Sequence, residues 1–423
     1  MEILRLSKPD RSLRGDIVLD GSKSISNRAL IVLALAGADP AAHLSNLSSS
    51  KDTRTLQRLL TQTDGTYNAG DAGTTFRFLT AYLAIQPGVQ VLDGSERMRE
   101  RPIGGLVAAL RTIGARIEYL EQEGYPPLSI GEMQPAGVGR KTVHISAGTS
   151  SQFLSALLLI GPHLPGGLEL IPTGRLVSRP YLEMTLKLMR YFGAQADWQG
   201  DSIVVEPGQY QARAFTVEAD WSAASYWYAM AAFADDVDLY LHGLFTESWQ
   251  GDSVLMDMMR QFGVQTAKPA ATDLTLRLGK TGASPVPEFS RDFTECPDIA
   301  QTLAVVCAGL GVNGLFSGLE TLYVKETDRI AALQHELAKI GVGFVEQPGS
   351  TSEKAFFRTT GKVQWPEMPR FATYGDHRMA MSFAPLALFH PLEIESPAVV
   401  AKSYPAFWDH LRAAGFVTET GGS

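Results

Sequence analysis

The sequence predicts a mixed α/β protein of two domains, each assembled from three copies of one unit. Three observations carry this reading: two series of helices step through the chain together, short β-like pieces separate them, and the second series shares its punctuation. Candidate starts for apolar, alanine-rich helices fall near Ser24, Thr74, Ser150, Trp221, Asp298 and His377. A more amphipathic series begins near Asp52, Pro102, Pro180, Asp252, Thr327 and Pro405. Step for step, the spacings of the two series agree to within two residues. Three of the amphipathic helices open with proline at the first helical position, and five run into glycine (Gly114, Gly193, Gly263, Gly341, Gly415), as helix ends commonly do. β-like pieces lie at residues 17–19, 89–92, 168–171, 202–205 and 274–278, so each unit reads strand, buried helix, strand, amphipathic helix, further strands. The midpoint between the third and fourth units falls around residues 215–220, with no low-complexity linker to mark it.

A chain of 423 residues is long enough for two or three domains that bury their own cores. Its two cysteines, Cys296 and Cys307, cannot form a disulfide framework, which points to a reducing, cytoplasmic compartment. The N-terminus reads as neither a signal nor a transit peptide. The apolar stretch 153–164 is interrupted by Ser, Gly and Pro well short of the ~20 residues of a membrane span. A net charge of −8 argues against nucleic acid as a partner unless basic residues cluster.

They do cluster, at helix starts. Gly21-Ser22-Lys23-Ser24-Ile25-Ser26-Asn27-Arg28 leads into an apolar run that ends at Gly37. A helix N-terminus carries unpaired N–H groups and a partial positive charge, so Lys and Arg are out of place there unless an anion is held by N–H groups, hydroxyls and cations together. The pattern recurs at Thr74-Thr75-Phe76-Arg77, at Arg99-Glu100-Arg101-Pro102, at Lys325-Glu326-Thr327-Asp328-Arg329, where Lys325 and Arg329 stand four apart on one helical face, and at Asp376-His377-Arg378. Any one instance is equally well a solvated charge or a weak surface ion pair. Recurrence across repeats in an acidic protein favours one pocket for a highly anionic small molecule, such as two phosphorylated ligands or a phosphate with carboxylates. Ser150-Ser151-Gln152 reads first as a helix cap, and Asp298 as an ordinary acid at a helix N-terminus. Neither cysteine has metal-ligand spacing and His377 has no second histidine at helical spacing, so no metal site is expected. The glycines at residues 70–73 match neither the P-loop nor the dinucleotide fingerprint.

Taken in order, the stretch at residues 21–28, Ala72-Gly73-Thr74, Arg99-Glu100-Arg101-Pro102-Ile103-Gly104, Ser150-Ser151-Gln152-Phe153-Leu154, Pro297-Asp298, Lys325-Glu326-Thr327-Asp328-Arg329, Asp376-His377-Arg378-Met379-Ala380 and Lys402-Ser403-Tyr404-Pro405 together resemble the 3-phosphoshikimate 1-carboxyvinyltransferase (EPSP synthase) family of enolpyruvyl transferases. The resemblance spans nearly the whole chain. It implies the two-domain enolpyruvyl transferase fold, six βαβαββ repeats with three per domain. Residues 1–20 with 218–423 would form one domain, which contains the first strand, and residues 21–217 the other, with the active site in the cleft between them. It also implies transfer of the enolpyruvyl group of phosphoenolpyruvate to the 5-hydroxyl of shikimate 3-phosphate, by a monomer, with no metal or organic cofactor and no nucleic-acid or membrane partner.

Carried over by that resemblance, Ser24, Arg28, Ser150, Ser151, Ser178, Tyr181 and Thr321 hold shikimate 3-phosphate, and Gly73, Arg101, Gln152, Arg329, Arg378 and Lys402 hold phosphoenolpyruvate. Lys23 and Lys325 touch both ligands, and Lys23 is counted with the catalytic set. Asp298, also against shikimate 3-phosphate, is the expected base on the attacking hydroxyl, and Glu326 the expected acid toward the methylene carbon. Thr321 stands where the family usually has asparagine, and Asp71 and Thr75-Phe76 also depart from its pattern around Gly73. Two other readings stand beside this one: a UDP-N-acetylglucosamine 1-carboxyvinyltransferase, which usually carries a reactive cysteine on a mobile loop, and a non-catalytic phosphate-ligand-binding protein on the same scaffold.

Overall fold

The structure, a computed structural model, describes residues 2–63, 65–134, 137, 139–148, 150–269, 274–351 and 354–421. Residue 1 and residues 422–423, the ends of the domain expected from the sequence, lie outside that set. The chain divides into two compact units, Gly21–Val217 and Met1–Asp20 with Glu218–Ser423.

In Gly21–Val217 the helices Lys23–Leu35, Gly73–Ala84 and Ser151–Ile160 pack against one another. Every residue from Phe153 to Ile160 is buried, which is why that stretch shows a continuous apolar run rather than a one-sided stripe. The amphipathic helices Lys51–Leu60, Gly104–Thr112 and Arg179–Tyr191 bury one face each; Arg179–Tyr191 does so through Leu182, Met184, Leu186, Leu188 and Met189. Two four-stranded sheets share one plan. In the first, Thr66–Asn68 runs parallel to Val89–Asp93, followed by antiparallel Leu128–Gly131 and Arg116–Tyr119. In the second, Lys141–Ser146 runs parallel to Leu168–Thr173, followed by Ser202–Val205 and Ala196–Gln199. A third sheet keeps only the parallel pair, Phe215–Thr216 with Leu44–Ser45.

The other unit repeats the arrangement. Trp221–Phe233, Ala300–Leu310 and His377–Phe383 are buried helices in mutual contact. Three four-stranded sheets again pair a parallel couple with two antiparallel strands. The chain start completes two of them. Ser12–Val18 pairs in parallel with Asp236–His242, and Ile3–Ser7 lies between Leu392–Glu395 and Val417–Gly421. One large apolar core, from Leu6 and Leu13 through Trp227 to Phe416, runs beneath these elements.

Several expected starts move by a turn. Pro180 sits in the first turn of Arg179–Tyr191, whereas Pro102 and Pro405 precede the helices Gly104–Thr112 and Phe407–Ala413 and act in the approaching loops, where a fixed φ steers the chain. Lys325 and Glu326 precede the helix Arg329–Ala338, whose N-cap is Asp328, so Lys325 and Arg329 do not share a helical face. Among the described residues no helix is long and apolar enough to cross a membrane.

Candidate active site

In Gly21–Val217 the expected residues gather at the N-termini of the three buried helices. Lys23 opens the first, and its Nζ lies 3.1 Å from Oδ2 of Asp52, a buried carboxylate in the first turn of Lys51–Leu60. The main-chain oxygen of Asp52 accepts from Thr75 Oγ1 (3.1 Å) on the second buried helix. Next to Thr75, Thr74 Oγ1 accepts from Gln152 Nε2 (3.1 Å) on the third. Ser150 caps that third helix, its hydroxyl accepting from Gln152 N, and Ser151 follows. Ser26 points elsewhere: it is buried, and its hydroxyl accepts from Ser48 N, so it belongs to the packing rather than to an anion site.

Arg28 is 2% exposed. Its guanidinium donates to Thr185 Oγ1 (2.7 Å), Ser24 O (2.8 Å) and Ser155 Oγ (3.1 Å), and lies near the rings of Phe78 and Tyr181. No carboxylate among the described residues pairs with it, and burial pulls it down to about 10. A buried cation without a counter-charge is costly unless something negative comes near. Tyr181 is tied to the same group, since its carbonyl accepts from Thr185 Oγ1. Ser178 precedes it with φ 56°, a left-handed backbone rare for a residue with a side chain.

Gly73 and Arg101 form the closest approach. A Cβ at Gly73 would stand 2.7 Å from Arg101 Nη1 and 2.9 Å from Nη2, so the guanidinium lies over the start of the second helix only because position 73 has no side chain. Arg101 Nε is buried without a hydrogen-bond partner among the described residues.

The other unit holds a denser network. Asp298 lies not in a helix cap but in the short 3₁₀ turn Pro297–Ile299 ahead of Ala300–Leu310. Its Oδ1 meets Arg329 Nη1 at 3.2 Å and Lys325 Nζ at 3.9 Å, and its Oδ2 meets Arg378 Nη2 at 3.0 Å. Arg329, 1% exposed, also reaches Glu326 Oε2 (2.9 Å) and Asp376 Oδ2 (2.7 Å). Burial alone would lower the Arg329 guanidinium, but Asp376 and Glu326 outweigh it and hold the group above its ordinary value. Glu326 Oε1 in turn lies 3.4 Å from Lys402 Nζ. Lys325 is held below its ordinary value by burial, with Asp298 working the other way. Thr321, in the 3₁₀ turn Glu320–Val324, buries a hydroxyl that has no partner among the described residues.

Each unit therefore places cations, hydroxyls and helix N-termini together, and one unit adds three carboxylates held by a single guanidinium. A family model for EPSP synthase (3-phosphoshikimate 1-carboxyvinyltransferase) matches residues 56–411, and a 3-phosphoshikimate 1-carboxyvinyltransferase of Bacteroides fragilis strain YCH46 is 45% identical over 418 residues, covering 98% of each chain. The chain belongs to the EPSP synthase family. A family member from Cellvibrio japonicus is 36% identical over 438 residues, covering 97% of this chain and 98% of its own. An EPSP synthase structure from Acinetobacter baumannii superposes with a TM-score of 0.77 at 20% identity, with full coverage of both chains, and shows that the fold is the two-domain enolpyruvyl transferase fold expected from the sequence.

Sequence reasoning passed over four polar residues packed against these groups: Asp52 beside Lys23, Asp376 beside Arg329, and Asp252, which accepts from Ser222, itself 3.4 Å from Arg378 Nη2. Three of them open helices or turns and read as ordinary acids at an N-terminus. Their role depends on cations far along the chain, Asp52 on Lys23 and Asp376 on Arg329. A signal did exist, in that each acid stands at a helix start of the same repeat series that supplies the cations.

Proposed function

We propose that the protein transfers the enolpyruvyl group of phosphoenolpyruvate to the 5-hydroxyl of shikimate 3-phosphate by addition and elimination, as a cytoplasmic monomer. The observation that carries the chemistry is the bridge made by Arg329 between Asp298 (3.2 Å) and Glu326 (2.9 Å). It holds two proton-transfer groups in a fixed relation, with Lys325, Arg378 and Lys402 in contact with one or the other.

In the addition, Asp298 takes the proton of the 5-hydroxyl as its oxygen bonds to the carbon of phosphoenolpyruvate that bears the phosphate. Glu326 gives a proton to the methylene carbon, and a tetrahedral intermediate results. In the elimination, Glu326 takes a proton back from that methyl carbon, the double bond reforms, and the carbon–oxygen bond to phosphate breaks. The proton held by Asp298 leaves with the phosphate. Proton transfers of this kind need groups within hydrogen-bond reach and are worth about 10² to 10⁴ in rate each. The cations oppose the charge of two phosphates and two carboxylates.

Lys23, Ser24, Arg28, Ser150, Ser151, Ser178 and Tyr181, with Thr321 and Lys325, are assigned to shikimate 3-phosphate. Gly73, Arg101, Gln152, Arg329, Arg378 and Lys402, again with Lys23, are assigned to phosphoenolpyruvate. The unpaired Arg28 and Arg101 support this assignment, because neither has a carboxylate among the described residues to neutralise it. Mixing the purified protein with both substrates should release inorganic phosphate and form 5-enolpyruvylshikimate 3-phosphate in equal amounts. Phosphate release that does not require shikimate 3-phosphate, or none at all, overturns the reading.

A further inference from the structure

Asp252 follows Gln250-Gly251 and opens the 3₁₀ turn Gly251–Val254, a place where an acid ordinarily just offsets helix charge. Its surroundings do not suit that role. The side chain is 4% exposed; Oδ2 accepts from Ser222 Oγ, and Oδ1 has no partner among the described residues. Ser222, in the first turn of Trp221–Phe233, is the one residue of that helix that is not buried. Its Oγ also lies 3.4 Å from Arg378 Nη2. A serine hydroxyl has one proton to give, so it accepts from Arg378 and donates to Asp252, a directed chain from guanidinium to carboxylate. The same Arg378 reaches Asp298 twice, at Oδ2 (3.0 Å) and at the main-chain oxygen (3.1 Å).

Asp298, as the reaction's base, has a difficulty that this chain resolves. Three cations, Arg329, Arg378 and Lys325, lie within 4 Å of its oxygens, and cations around a carboxylate hold protons off it. A general base works best when its proton affinity is matched to the working pH. A second negative charge nearby restores that affinity, and does so strongly where water is excluded.

We propose that Asp252 is a positioning residue for the reaction, which anchors Arg378 against Asp298 through Ser222 and keeps Asp298 basic by its charge. This rests on the assignment of Asp298 as the base. Coupling between two such groups is mutual, and burial, and after it the charge of Asp298, push Asp252 up to about 7, so the charge it lends Asp298 is present from about pH 7 upward. The groups that face Asp252 come from each element around it. They are Ser222 and Asp220 at the head of Trp221–Phe233, Asp298 from the turn Pro297–Ile299, Arg378 from His377–Phe383 and the thiol of Cys296. Of these only Arg378 is cationic, so Asp252 is not a salt-bridge partner in its own right but a charge set behind one.

The test compares Asp252→Asn, Ser222→Ala and Asp298→Asn in phosphate release with both substrates, across pH. Asp252→Asn keeps the shape and loses the charge, so the acid limb of kcat/KM should move by about one pH unit toward lower pH, as for a coupled pair reduced to one group, and plateau turnover should fall as the base weakens. Ser222→Ala breaks the chain while leaving a carboxyl at position 252, so it should raise KM for phosphoenolpyruvate several-fold, roughly the loss of one hydrogen bond to a charged group. If Asp298→Asn turns over like the parent, the assignment of the base itself is wrong. If Asp298→Asn is inactive while Asp252→Asn leaves the limb in place, the inference alone is overturned. Should Asp252→Asn fail to fold, Ser222→Ala decides, and an unchanged KM for phosphoenolpyruvate counts against the anchor.

Discussion

Gly73→Ala isolates the role of Arg101 from the stability of the fold. The added Cβ would stand 2.7 Å from Nη1, 2.9 Å from Nη2 and 3.0 Å from Cζ of Arg101, where 3.4 Å is the near edge of ordinary contact. The guanidinium therefore has to move by about 0.7 Å, the difference between 3.4 and 2.7 Å. That movement is cheap for folding, since the displaced atoms are the end of a flexible side chain. Position 73 is the first residue of its helix, where replacing glycine gains less than the ~1 kcal/mol of a helix interior, so the melting temperature should hold. Catalysis should not be spared. A misplacement of about 1 Å in a positioning group is capable of costing roughly 10²-fold, and a shift somewhat smaller than that predicts about a tenfold fall in kcat/KM for phosphoenolpyruvate, with shikimate 3-phosphate affected less. Steady-state kinetics with each substrate varied in turn, beside thermal unfolding, reads both effects. Gly105→Ala is the control, because it gains the same helix propensity with its nearest contact an ordinary 3.5 Å from Phe153. A Gly73→Ala enzyme with parental kinetics would show that the guanidinium over position 73 does not hold the substrate.

Asp298→Asn and Glu326→Gln should each lose at least about a hundredfold in turnover while folding nearly as well; incorporation of solvent deuterium into the methylene of phosphoenolpyruvate, followed by mass spectrometry, should slow in Glu326→Gln if that residue protonates carbon. Asp376→Asn sets an amide N–H against Arg329 Nε, which now donates to Asp376 Oδ2 at 2.7 Å. Removing one side of a buried pair costs about 3 to 5 kcal/mol, which denaturant unfolding would measure; a loss under about 1 kcal/mol would mean that Glu326 and Asp298 suffice for Arg329. Burial, and after it the charge of Asp252, push Cys296 up to about 12, and burial alone raises Cys307. At pH 8 almost none of either thiol is ionised, and reactivity belongs to the thiolate, so alkylating reagents should leave activity intact in the folded protein and label both sites only on unfolding. Stoichiometric inactivation of the native enzyme would contradict this.

The repeat was legible because its signal is local. A helix enclosed on all sides shows an unbroken apolar run, as at residues 153–160, and a helix with one wet face shows a stripe, as in Arg179–Tyr191. The cations were legible for a related reason: Lys23 and Arg378 violate the charge preference of a helix start, and violations mark function. Their acidic partners were not. Asp376 satisfies the same preference that Arg378 breaks, so nothing in its own neighbourhood sets it apart from a cap, and its partner Arg329 lies on another helix. The cap assigned to Asp298 failed because the proline before it starts a 3₁₀ turn, which moves the carboxylate one turn ahead of the helix proper. Strand pairing at the chain start was beyond local reading altogether. Ile3–Ser7 pairs with Leu392–Glu395 on one side and Val417–Gly421 on the other, at the far end of the chain, where no local signal reaches and only the family resemblance placed the first strand.

Asp298, Glu326 and Asp376 do for Arg329, Arg378, Lys325 and Lys402 what an anionic substrate would do. They are surrogate ligands. A stray anion entering this cluster therefore does not meet bare charge; it competes with carboxylates already seated, and gains only the difference between two similar contacts. Inorganic phosphate or sulfate, with one anionic group, has little to offer in that exchange. A molecule presenting a carboxylate and a phosphate at a fixed separation is able to displace several surrogates at once, and the one proposed as the base, Asp298, is among them. Discrimination and activation are on this view one event, an ion exchange whose by-product is the catalytic group.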